Sequence, residues 1–312
     1  MKLKSRTIGL VLVMMLAASQ MQCSRENTQP AIDYEVPSSG VEPRITLEVK
    51  YPPGRYRMIQ KRSTDTRTIT HTGRQKRNRQ INEKTTRWMS VDVKSKPAGD
   101  SMLTVQFDRI RREISDGPRR LIVDTDNKGS PGAKMFSAMI GLKITMKCDA
   151  EGGISDVQPP GDEPRDEKTP QETSAAAEFK ESVVNVVNKT REYLPGGPVG
   201  VGALWYVNLN SKGPMSASKA NQVKCKLVEL RKTAAGRITV IQVNAKSVPT
   251  KPGAMKMNWA GRIEMNADTG LMTKISTSMD GEISGAHIAE GKPAKTDTKT
   301  IGTYEITLTP VK

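Results

Sequence analysis

Aromatic side chains are scarce in this chain: three Phe, three Trp and six Tyr among 312 residues. Proteins that grip single-stranded nucleic acid use aromatic platforms for the bases, so this scarcity disfavours nucleic acid as a partner. Histidine is scarcer still, with only His71 and His287, far apart. A zinc site takes three or four ligands, and neither His has Cys, His or carboxylate neighbours at ligand spacing. No metal centre and no cofactor is expected. Beyond the N-terminus there is no run near the roughly 20 apolar residues that a membrane-crossing helix needs, so the mature chain is expected to lack a transmembrane helix.

What is present begins with an export signal. Lys2, Lys4 and Arg6 precede the apolar run Ile8–Leu16, and Ala17-Ala-Ser19 follows. A charged start, a short apolar stretch and small residues make a secretory signal peptide. Cleavage after Ser19 places the mature protein outside the cytoplasm, in the periplasm or cell envelope. Cys23 lies just beyond and offers a site for lipid attachment. The bulky Gln20-Met-Gln22 before it fits lipoprotein processing poorly. Export favours oxidation, so Cys148 and Cys225 stand as either a disulfide or two buried thiols. Both fall on the apolar parity of alternating segments.

The chain carries a formal net charge of +16, and loss of the three leader cations leaves +13. Between Arg55 and Arg120 stand eighteen Lys/Arg against seven Asp/Glu. The densest part holds Arg74, Lys76, Arg77 and Arg79. Such a stretch can meet an anionic envelope polymer or lipid head groups. It can equally be a solvated hairpin whose cations block edge pairing.

Most of the mature sequence alternates apolar and polar residues. Leu103, Val105 and Phe107 do so, as do Ile144, Met146 and Cys148, Ile263 and Met265, and Tyr304, Ile306 and Leu308. Period two predicts half-buried antiparallel strands. Turn signals lie between them, among them Asp149-Ala-Glu-Gly-Gly153 and Asp268-Thr-Gly270. One segment breaks the pattern: Thr169-Pro-Gln-Glu172 reads as a helix start. Phe179, Val183, Val186, Val187 and Leu194 then recur at helical spacing. A shorter helix is expected over 133–140. The halves on either side of the long helix look alike. Pro52-Pro-Gly-Arg-Tyr-Arg57 resembles Pro198–Trp205, Met102–Phe107 resembles Arg237–Gln242, and Gly141–Asp149 with Gly152 resembles Gly261–Asp268 with Gly270.

The expected fold is therefore mainly β (α+β). Two curved antiparallel sheets, as duplicated half-barrels, flank one long amphipathic helix. The expected segments are a signal peptide (1–19), a flexible tether (20–40), a first β-rich half (41–158), a charged Pro-rich linker (159–169), the helix (170–194) and a second β-rich half (195–312).

Pro53-Gly-Arg-Tyr56, the Pro198-Val-Gly-Val-Gly-x-x-Trp205 stretch and the Gly-led strand with its Asp-x-x-Gly turn resemble an uncharacterised family of secreted bacterial proteins. Many of its members are predicted lipoproteins. That resemblance implies an extracytoplasmic location and two similar β-rich halves, and no activity.

No catalytic set emerges. Ser216-Ala-Ser-Lys219 matches S-x-x-K but lacks the partner motifs of that chemistry. Gly285–Lys292 fails the phosphate-loop pattern because Pro293 stands where Ser or Thr is needed. Asp108, Glu113, Glu229 and Glu264 are scattered on polar faces. The sequence points to a non-enzymatic envelope protein that binds an anionic or lipid-like component or serves as structure. Arg74, Lys76, Arg77 and Arg79 would supply the charge. Met58, Met102, Met146, Met265 and Met279 would line an apolar interior. The alternative is an envelope hydrolase whose site the sequence does not reveal.

Overall fold

In a computed structural model, the alternating segments form one antiparallel sheet. The structure describes residues 34–96, 99–127, 129–130, 132–137, 139–150, 152–158, 179–180, 183–184, 191–208, 218–219, 222–249, 256–289 and 292–311. The first half supplies β1 (Tyr34–Ser38), β2 (Gly54–Thr72), β3 (Gln75–Ser95), β4 (Ser101–Asp116), β5 (Arg119–Asp124), β6 (Lys143–Cys148) and β7 (Ile154–Gln158). The second half supplies β8 (Leu204–Asn208), β9 (Ser218–Lys219), β10 (Gln222–Thr233), β11 (Gly236–Pro249), β12 (Lys256–Asn266), β13 (Met272–Ala289) and β14 (Lys292–Pro310). The strand order is β1-β8-β10-β11-β12-β13-β14-β2-β3-β4-β6-β7, with β5 on β4 and β9 on β11.

This corrects the expectation of two sheets with a long helix between them. The last strand, β14, pairs along its length with β2, from Ala294↔Thr72 to Pro310↔Tyr56. That ladder merges both halves into a single sheet. Alternation specifies that a segment is a strand with one apolar face, but not which strand lies beside it. Among the described residues there is no long helix. Helical backbone is found at Phe179–Lys180, Val183–Val184 and Arg191–Glu192, and the rest of the expected 170–194 helix and the 159–169 linker lie outside the described residues. The short helix is present as α1 (Ala133–Ser137). Tyr34–Ser38, within the segment expected as a tether, is strand β1 and pairs with β8; residues 20–33 of that segment lie outside the described residues.

The inner face of the sheet holds one continuous apolar core. Leu103, Val105 and Phe107 on β4 meet Ile144, Met146 and Cys148 on β6. Trp205, Cys225, Leu227, Ile241, Val243, Ile263 and Met265 come from the other end of the sheet to the same cluster. Phe179 and Val183 fill the space between, with Phe179 set edge-on against Phe107 at 5.3 Å between centroids. Full burial of such a side chain contributes about 1.5–3 kcal/mol. Two aromatic donors anchor the strands that open each half. The Tyr56 hydroxyl donates to the Pro52 carbonyl (2.7 Å), and the Trp205 indole N–H to the Tyr193 carbonyl (2.9 Å).

A strandless extended segment crosses this core. Ile45, Leu47, Val49 and Tyr51 are buried at every second residue. The segment bridges to Val199 through Ile45, and the Ser101 hydroxyl donates to the Tyr51 carbonyl. It ties the two halves together across the inner face.

β2, β3, β13 and β14 outrun the core: β2 has 19 residues, β3 21, β13 18 and β14 19. Beyond the core their inner face turns polar. Thr66, Thr68 and Thr70 face Thr300, Thr298 and Thr296 with hydroxyl oxygens 3.2–3.3 Å apart. Cross-strand hydroxyl pairs of this kind stabilise a ribbon that has no apolar face to bury.

Candidate functional site: a cationic face of the sheet

The four cations singled out in the sequence lie on that ribbon and do not converge. Arg74 follows Gly73 in the β2–β3 turn. Lys76 and Arg77 are adjacent on β3 and so point to opposite faces. Arg79 grips Asp116 as a fork, Nε–Oδ1 3.2 Å and Nη2–Oδ2 2.7 Å. This contact holds the Asp116 carboxyl below the usual carboxylate range. Residues 75–80 pair with β2, while the β4 ladder on the other side stops at Ile81↔Asp116. Among the described residues this stretch is therefore a sheet edge, and its cations suit edge protection.

Much of the remaining charge between Arg55 and Arg120 is also spent internally. Arg109 forks Asp124 (Nε–Oδ1 3.1 Å, Nη2–Oδ2 2.7 Å), reaches Asp126 at 2.7 Å and stacks over Trp88 at 4.7 Å. Arg112 pairs with Glu83 at 3.0 Å and Arg120 with Glu113 at 2.8 Å.

Cys148 and Cys225 are free thiols, both buried in the core. Desolvation pushes each thiol up to about 12. Cys23 lies outside the described residues. Met58, Met146 and Met265 are packed in the core, whereas Met102 and Met279 are half-buried.

Ser216 lies outside the described residues, and Lys219 belongs to the two-residue strand β9, not to a helix start. Gly285–Ala289 belongs to β13 and Lys292 opens β14. Asp108 accepts from Ser90 (2.7 Å) and Gln106 (3.2 Å), while Glu264 and Glu229 share Arg231. These carboxylates are held apart in local pairs. Among the described residues no three His, Cys, Asp or Glu side chains gather as a metal-binding group, and no helix is long and apolar enough to cross a membrane.

The feature missed in the sequence is the outer face. Two adjoining hollows of about 650 and 610 Å³ lie there and share Ala260 and Ser278. Their linings come from β10, β11, β12, β13, β14, β2 and β3. The cations are Lys61, Arg62, Lys84, Lys224, Lys246 and Arg262. Lys61 is paired with Glu305 at 3.4 Å. Lys84, Lys224, Lys246 and Arg262 have no carboxylate partner among the described residues. The lining carboxylates are engaged: Glu305 also meets Lys274 at 3.0 Å, and Asp280 meets Lys299 at 3.6 Å. Glu305 is held below its ordinary range by those two lysines, Lys274 first. Most residues in the hollows belong to the outward half of an ordinary alternation. No sequence motif marks them, because seven strands bring them together.

No family model matches the chain, and no curated protein matches it. Among solved structures it is similar to lipovitellin, described for its lipid–protein interactions, at 10% identity and a TM-score of 0.48. That match covers 84% of this chain and 26% of lipovitellin, so the chain spans about a quarter of that protein. It is also similar to a DUF1329 family protein from Desulfovibrio piger (9% identity, 78% of this chain and 83% of that one, TM-score 0.16). A third likeness is to the translocator domain of the autotransporter NalP from Neisseria meningitidis (7% identity, 81% and 88%, TM-score 0.18). Likenesses at these scores carry no functional argument.

Proposed function

We propose that this is a non-enzymatic, extracytoplasmic protein that binds an anionic component of the cell envelope. Residues 1–19 export the chain, and the residues before β1 form its tether, with Cys23 available for a lipid anchor. The observation that carries the reading is the surplus, among the described residues, of cations without carboxylate partners on the outer face, where the carboxylates are already paired. Lysine and arginine there meet solvent and are free to meet phosphate or carboxylate groups. Exposed Arg74 and Lys76 at the β2–β3 turn add long-range attraction. The inner face supports a structural role, because its core is occupied by the chain's own side chains, Phe179 and Trp205 included. Local pairing of the carboxylates weighs against the hydrolase alternative, which needs titratable groups converging in one cleft.

The test is co-sedimentation of the mature chain with vesicles of phosphatidylglycerol, vesicles of phosphatidylcholine, and isolated anionic wall polymer, each across a salt series. Binding to the anionic samples alone, falling as salt rises, is expected. Equal binding to neutral vesicles, salt-insensitive binding, or no binding to any sample would overturn the proposal.

A further inference from the structure

The outer hollows have an internal order set by strand register. Ladder partners place Lys84 beside Ser63, Ser63 beside Thr303, and Thr303 beside Ser278. Ser278 lies beside Ala260, Ala260 beside Asn244, and Asn244 beside Lys224. These seven residues form one row across β3, β2, β14, β13, β12, β11 and β10, at right angles to the strands. Its five interior members are all short. A lysine with no carboxylate partner among the described residues stands at each end of this stretch of short residues; the ladder itself runs on from Lys84 to Glu113, which Arg120 holds, and from Lys224 to Tyr206.

Longer side chains flank this row. On one side run Lys61, Glu305, Arg262 and Gln242, each two residues along its strand from the row. On the other run Asp65, which accepts from Gln80, then Ile301, Asp280, Asn258 and Lys246. Short residues between longer ones make a trough, which is why the two hollows meet at Ala260 and Ser278. Six strand spacings of about 4.8 Å give the lane a length of about 29 Å from Lys84 to Lys224.

The geometry points to a binding lane for a linear, phosphate-bearing polymer lying across the strands, its ends held by Lys84 and Lys224 and its middle by Arg262. This rests on the anionic-component reading and specifies the ligand and its path. Three features favour that occupant. First, Lys84, Lys224, Arg262 and Lys246 offer charge with no carboxylate partner among the described residues. Second, the floor of Ser63, Thr303, Ser278 and Asn244 offers short hydrogen-bonding groups to phosphate oxygens, while arginine can bind phosphate through two parallel N–H groups. Third, the row itself carries no aromatic ring: Tyr304 and Trp259 border the hollows but belong to the opposite parity of their strands, so bases and sugar faces find no stacking platform along the row. The flat lane is open along its length, which suits a polymer and gives a small anion no enclosure.

Long-chain inorganic polyphosphate and tripolyphosphate, compared at equal total phosphate, are the probes. The mature chain is measured by titration calorimetry across a salt series. The long chain is expected to bind at least tenfold more tightly. Ala260→Trp, at an exposed position, raises a wall across the lane and should remove most of that preference. Lys84→Gln combined with Lys224→Gln should lower long-chain affinity and reduce the slope of log affinity against log salt by about 1.4, at about 0.7 per lost phosphate contact on a single strand. Arg55→Gln with Lys232→Gln removes equal charge away from the lane. Circular dichroism and thermal unfolding confirm that each variant is folded.

If the off-lane pair weakens binding as much as the lane pair, or Ala260→Trp leaves it unchanged, the lane is wrong and diffuse charge does the binding. In that case the anionic-component reading stands. No binding of any anionic sample sinks both.

Discussion

The Lys50 backbone N–H donates to the Gly270 carbonyl at 2.9 Å, fixing the extended core-crossing segment to the β12–β13 turn. The neighbouring residue, Val49, is pressed just as closely on the β6–β7 turn, where a Cβ on Gly152 would lie 2.5 Å from the Val49 carbonyl oxygen. The two glycines close the matching Asp149–Gly152 and Asp268–Gly270 turns of the two halves. Consecutive residues of one segment are thus held by corresponding turns, one from each half.

Gly270 has φ +73°, and a Cβ there would meet the Glu48 oxygen at 2.7 Å. Gly270→Ala should destabilise the protein by about 1–3 kcal/mol, the range for a strained backbone position. Gly117 has φ +58° with nothing within 4 Å, so Gly117→Ala should cost only the left-handed backbone penalty of about 1 kcal/mol. Thermal unfolding should rank Gly270→Ala clearly below Gly117→Ala. Equal melting temperatures would show that the segment does not press on the turn.

Trp205→Phe keeps a buried ring but removes the donor to the Tyr193 carbonyl. The loss should be about 1–3 kcal/mol, the range for leaving a buried acceptor unsatisfied. In urea the midpoint should fall with the slope unchanged, since the surface exposed on unfolding is the same. An unshifted midpoint would mean that the bond contributes nothing.

Asp116, Asp124 and Asp268 are held below the ordinary carboxylate range, chiefly by hydrogen bonds: from Arg79, from Arg109, and from the Arg237 backbone and side chain. Their native forms bind a proton less readily than the unfolded chain does. The stability they contribute is present above the unfolded value of about 4 and is lost as pH falls through the native values. Asp124→Asn should lower the melting temperature at neutral pH and flatten its decline in acid. A parallel decline in both proteins would refute the Arg109 assignment.

Cys148 and Cys225 should stay unmodified by iodoacetamide at pH 8 in the folded protein and react once it is denatured. The thiolate is the reactive form, and with both groups near 12 almost none exists at that pH. Mass spectrometry before and after denaturation checks this. Labelling of either in the native state would place it outside the core.

Lys76→Thr together with Arg77→Thr would leave residues 75–80 as a less protected edge. The variant should associate with rising concentration in size-exclusion chromatography, since an uncharged open edge templates strand addition. A monomer at every concentration would assign these cations another role.

The repeat shows how far the sequence could be read. Gly141–Asp149 and Gly261–Asp268 share a burial pattern, with Ile144 and Met146 buried as Ile263 and Met265 are. The pairing Met102–Phe107 with Arg237–Gln242 is one residue out. Val105 sits opposite Ile144, and the residue opposite Ile263 is Ile241, so Leu103 corresponds to Thr239. A slip of one residue exchanges the two faces of a strand. Leu103 and Thr239 are both buried, and Thr239 hides among the polar residues because its hydroxyl donates to the Met265 carbonyl at 3.1 Å.

By itself the sequence determined the strands, their inward faces and the inward placement of residues such as Met146, Met265 and Cys225. Each of these follows from local alternation, and burial of apolar area enforces it. Only the tertiary structure decided that one sheet replaces two and that Lys84 and Lys224 stand at the ends of one stretch of short residues. Those facts depend on pairing between β14 and β2 and on register carried across seven strands. Backbone hydrogen bonds are the same for every side chain, so they leave no local mark on composition or period.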